Sequence, residues 1–103
     1  MSTWTPAEII LRLQEIDEDL QQRTLDLEAA AMAWFQKKRE REQLLATAFI
    51  SAEGSVAERH ARADRDHATV GALEEAQYEA LKAVVRTLEA RSAIGMSLLK
   101  VQR

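Results

Sequence analysis

At 103 residues the chain fits one domain with a modest core, and its 47% hydrophobic and 30% charged residues are those of a folding chain. One proline and three glycines leave few places to turn, so few, long elements are expected. The absence of cysteine excludes a disulfide framework, a thiolate metal site and a cysteine nucleophile and favours a cytoplasmic setting, while a net charge of −3 argues against holding nucleic acid by bulk charge.

Met1 to Asp19 is acidic and lacks a basic segment followed by an apolar run, and no stretch approaches the roughly 18 apolar residues that a membrane span needs. Neither export by that route nor membrane insertion is expected. Thr5-Pro6-Ala7-Glu8 reads as a capping box with proline at the first helical position, and Trp4 and Ile9 occupy the two staple positions. Ile9, Leu13, Ile16, Leu20, Leu27 and Trp34 then recur at helical intervals, with Ala30 and Ala31 filling the gap. Nothing breaks the pattern before Gly54, so helix 1 is expected over about 6–52, on the order of 70 Å at about 1.5 Å per residue.

Around the turn at 53–55, Gly54 stops one helix, and Ser55 to Glu58 forms a second capping box that starts the next. Helix 2 is expected over about 56–101, carrying Val70, Leu73, Ala76, Ala80, Leu81, Val84 and Leu88 on its seam, with Gly71 and Gly95 as weak points. Folding about Gly54 pairs residues whose numbers sum to roughly 108: Leu27 with Leu81, Leu20 with Leu88, Ile10 with Leu98. The expected fold is therefore all-α, a single coiled-coil-like antiparallel helical hairpin over 1–103. Ile10, Leu25, Phe35, Leu45, Phe49, Val85 and Leu99 lie off the main seam, which points to a homo-oligomer.

No phosphate loop, nucleophile elbow, zinc pattern or calcium loop occurs, so no catalytic residue, cofactor or metal is assigned. His60, Asp64 and His67 share one helix face, a row more often solvated than metal-binding. Charge is unevenly spread: Met1 to Phe35 holds two basic residues (Arg12, Arg23) against seven acidic ones, and Gln36 to His67 holds seven basic against six acidic. Those seven, Lys37, Lys38, Arg39, Arg41, Arg59, Arg62 and Arg65, gather toward the hairpin tip and are the candidate nucleic-acid-binding residues, with Phe35 free to stack on a base. The alternative is that Glu40, Glu42, Asp64 and Asp66 neutralise them along the helices.

The turn Ala48-Phe49-Ile50-Ser51-Ala52-Glu53-Gly54-Ser55-Val56-Ala57-Glu58-Arg59, followed by Arg62-Ala63-Asp64-Arg65-Asp66 and closed by Ala90-Arg91-Ser92-Ala93-Ile94-Gly95-Met96-Ser97-Leu98-Leu99-Lys100, resembles the small helical proteins of tailed phages that are like UvsY-type recombination mediators. The resemblance runs from Trp34 to the C-terminus. It implies an oligomeric single-stranded-DNA-binding accessory protein in the host cell cytoplasm, one that helps load a recombinase onto DNA coated with single-strand-binding protein. It also implies that Ile94, Leu98, Leu99 and Val101 drive oligomerisation. UvsY proteins carry basic residues close before the turn, where this chain has Thr47, Ala48 and Phe49, so the basic candidates rest on clustering alone. The competing reading is a protein-binding coiled-coil adaptor, an assembly or virion component with no nucleic-acid role.

Overall fold

A computed structural model describes residues 4–51 and 53–101 and shows an all-α helical hairpin. One arm is α1 (Pro6–Ser51); the returning arm is α2 (Val56–His67) and α3 (Ala72–Val101). The residues pack as two compact units, one joining the chain up to Glu28 with that from Glu79 onward, the other formed by Ala29–Tyr78.

Both helix starts obey their local chemistry. At the first, the Thr5 amide donates to Glu8 Oε2 and the Glu8 amide to Thr5 Oγ1, both at 3.2 Å, which closes the capping box in both directions. α1 ends at Ser51, and Ala52, the last residue expected in it, lies outside the described residues. Gly54 has φ +109°, the left-handed conformation that favours glycine at a helix stop. Ser55 then caps α2, accepting from the Glu58 amide at 3.2 Å. The Glu58 carboxylate lies over Gly54, where a side-chain carbon would stand 2.5 Å from its Oε2.

The unbroken second helix expected over 56–101 is instead divided at 68–71. The Val70 amide donates to the His67 carbonyl at 3.2 Å and the Ala72 amide to the Thr69 carbonyl at 3.1 Å, so the chain tightens into three-residue turns. Two causes act together. Thr69 and Val70 are β-branched and favour helix weakly, and Gly71 sits at φ +83° directly against the Trp34 indole. A side-chain carbon on Gly71 would lie 2.8 Å from Trp34 Cζ3 and 3.1 Å from Lys37 Cβ. Only glycine satisfies both the backbone angle and the close approach.

Burial follows a strict seam. In the first unit the inward positions of α1 are Ile9, Leu13, Ile16, Leu20, Arg23 and Leu27, alternating steps of four and three, the heptad rhythm of a coiled coil. Those of α3 are Leu81, Val85, Leu88, Ser92, Gly95 and Leu99, each completing a sum of 108 with one of the α1 set. Leu13 lies directly against Gly95, where an added carbon would meet Leu13 Cδ2 at 2.6 Å. In the second unit the same sum pairs Lys37 with Gly71, Leu45 with Ala63 and Phe49 with Arg59. Leu13 against Gly95, Lys37 against Gly71 and Leu45 against Ala63 set a large residue against a small one, which lets the arms approach closely at those levels.

The expected inner row of helix 2 needs correction. Leu73, Ala76, Ala80 and Val84 are exposed, whereas Val85, expected off the seam, is buried, and Leu99 is half-buried against α1. That row had merged two neighbouring rows of α3, because apolar residues populate both. Of the other off-seam residues, Ile10, Leu25 and Phe35 are exposed, and Leu45 and Phe49 turn inward.

The core is one layer thick. Ile9, Ile16, Trp34, Ala63, Val85 and Leu88 are buried, but among the described residues no side chain is sealed completely and no polar residue is buried. Among the described residues, no helix is long and apolar enough to cross a membrane.

Candidate interaction surfaces

The seven candidate basic residues all lie in the second unit, on α1 and α2. Successive helical residues differ by about 100° in direction, so Lys37, Lys38, Arg39 and Arg41 do not share a face. Lys37 and Arg41 are half-buried on the inner row, and Lys38 and Arg39 point to solvent. Several cations are already engaged. Lys37 Nζ pairs with Glu40 Oε2 at 3.2 Å, and the Arg41 guanidinium sits 5.5 Å from the centre of the Trp34 ring. Arg59 donates from Nε to the Gly54 carbonyl at 3.1 Å and lies 5.7 Å from the centre of the Phe49 ring, so it buttresses the turn.

Three cations remain open: Lys38, Arg39 and Arg62 are exposed, with no carboxylate in ion-pair range among the described residues. Arg65 has only its neighbour Asp66, at 3.7 Å. By the register, Arg62 stands level with Ala46 and Arg65 with Gln43, one to two turns from Lys38 and Arg39. The basic residues thus form a sparse band. Phe35 is half-exposed and tilts against Tyr78, ring centres 5.8 Å apart. His60 stacks on Phe49 at 4.6 Å, and among the described residues no group of three or more acidic or histidine side chains is placed to hold a metal.

The second surface lies in the first unit, on α3. Ala80, Val84, Thr87, Arg91, Ile94, Leu98 and Val101 repeat the four-three heptad rhythm, one flank around from the inner row, and every one is exposed. The outermost positions beside this row are Ala83, Ala90 and Ser97, small and uncharged. Three of the four residues that the phage-protein resemblance implicates in oligomerisation, Ile94, Leu98 and Val101, lie on this outer row. The fourth, Leu99, belongs to the inner row and faces α1. At the open end the row borders a recess of about 180 Å³ walled by Trp4, Ile9, Leu13 and Ile16 of the first arm, with Arg12 on the same side.

Sequence reasoning missed this outer row as a separate surface. Its signal was present in the spacing 80, 84, 87, 91, 94, 98, 101, which alternates steps of four and three. Compared with models of protein families, with curated proteins and with solved structures, the chain matches none.

Proposed function

We propose that this chain is a non-catalytic coiled-coil assembly protein that works by packing the outer row of α3 against another helix. The observation that carries the reading is the second heptad row: a helix with two apolar seams, one of them uncovered, is built for a further helical neighbour. A thin core with large exposed side chains such as Val84 and Ile94 supports it. The test is light-scattering mass beside circular dichroism for the wild type and for a variant with Val84, Ile94 and Leu98 replaced by glutamate. The wild type is expected to be an oligomer and the variant a monomer of equal helicity. A monomeric wild type would overturn the reading.

A second reading, the single-stranded-DNA-binding accessory role in recombinase loading, is favoured by one observation, the open cations Lys38, Arg39 and Arg62. Under it, replacing these three by alanine lowers the affinity for a labelled oligonucleotide and flattens the log–log salt dependence by about 2, since each phosphate contact on a single strand contributes about 0.7. An oligonucleotide that ignores the wild type at low salt removes this reading.

A further inference from the structure

We infer that the occupant of the outer α3 row is the same row of a second copy, packed antiparallel about a two-fold axis between Thr87 and Arg91. The inference rests on the assembly reading above and adds the partner, its direction and its register.

The first argument is steric. Along the row, small side chains lie toward the start of α3 and large ones toward its end. Antiparallel pairing in which residue numbers sum to 178 sets Ala80 against Leu98 of the partner subunit and Val84 against Ile94 of the partner subunit, small or medium against large at each step. Parallel pairing would stack Leu98 on its own copy and leave Ala80 facing alanine. The inner seam uses the same device at Leu13 against Gly95 and Ile16 against Ser92, beside leucine-on-leucine steps at 20/88 and 27/81. The one charge in the row also fits. Arg91 falls opposite Thr87 of the partner subunit. Thr87 donates its own hydroxyl proton to the Ala83 carbonyl at 3.0 Å, leaving its oxygen free to accept from a guanidinium.

The second argument is electrostatic and comes from the other arm. Arg12 borders the same recess as Ile94 and Leu98, so the charged flank of α1 lies on the side where the second copy docks. The two registers together determine a third: if α1 pairs with α3 at 108 and α3 with its copy at 178, the α1 flanks meet at a sum of 38. That sets Arg12 against Asp26 of the partner subunit, an opposite-charge pair that the two-fold axis doubles; in the single chain Arg12 pairs with Glu15 at 2.9 Å and Asp26 with Arg23 at 3.0 Å, surface pairs that exchange partners on docking. Asp19 meets its own copy, and each Asp19 is already held by its own Arg23 at 3.3 Å. Complementary charge fixes register and direction more than it adds affinity.

The experiment uses the full chain, which has no cysteine of its own. Variants V84C and I94C are oxidised mildly, singly and mixed, with light-scattering mass measured on each. The expected result is a dimer in which the mixture cross-links and neither variant does so alone, since a disulfide forms only where the two Cα atoms come within about 7 Å. Beside it, R12D should weaken the dimer severalfold and R12D/D26R should restore it. Self-cross-linking of V84C, or an oligomer in which the mixture does not cross-link, would overturn the antiparallel register and leave the assembly reading standing. A monomer would overturn both.

Discussion

Gly71 shows how one residue can be over-determined. Its backbone is left-handed at φ +83°, and the Trp34 indole occupies the space where a side chain would begin. Gly71→Ala meets both costs at once and should lower stability by about 1–3 kcal/mol. In thermal unfolding, at about 4–8 °C per kcal/mol for a chain of this size, the loss is easily resolved. The outcome contrasts with an ordinary helical glycine, where alanine gains up to about 1 kcal/mol. Trp34 as a packing residue was legible in the sequence, because it falls on the α1 seam. The role of Gly71 was legible only as a weak point, since the clash arises from a residue 37 positions away, and composition carries no trace of it. The basic candidates show the same limit. Their clustering in sequence is real, but Arg41 sits over Trp34 and Arg59 over Phe49, contacts that depend on which way each side chain turns.

At the scale of elements, the capped helix starts were read well, and the break at 68–71 and the rows of α3 were not. Thr5–Glu8 and Ser55–Glu58 cap their helices as their spacing requires, because capping is local chemistry within four residues. Ser55→Ala removes the acceptor for the Glu58 amide and should cost about 1 kcal/mol, measured as a lowered urea midpoint with unchanged slope. The sum of 108 about Gly54 also followed from the sequence, since a hairpin turn and two periodic arms leave one register open, but the expected pair Ile10 with Leu98 is not made: both are exposed, and Ile9 and Leu99 face inward there. The assignment of α3 residues to rows did not. Apolar residues populate two rows of α3, so a single seam drawn through both was wrong for Leu73, Ala76, Ala80 and Val84.

Taken whole, the molecule has ample apolar surface and little interior. The ion pairs described above, such as Lys37–Glu40 and Arg23–Asp19, are solvent-facing and contribute little to stability. Under the proposed assembly role, stability leans on what covers the outer row of α3. If a second copy does, folding and association are linked, and the melting temperature should rise with protein concentration; a melting curve unchanged over a wide dilution series would contradict that. The placement of the tryptophans has a practical consequence. Trp4 belongs to the first unit and is half open at 49% exposure, while Trp34 belongs to the second and is buried at 7% beneath a guanidinium. Each compact unit carries its own indole in a different environment, so intrinsic fluorescence distinguishes the two without any label: dissolved quenchers reach the emitter of one far more readily than that of the other, and the order in which the units loosen becomes an optical observable.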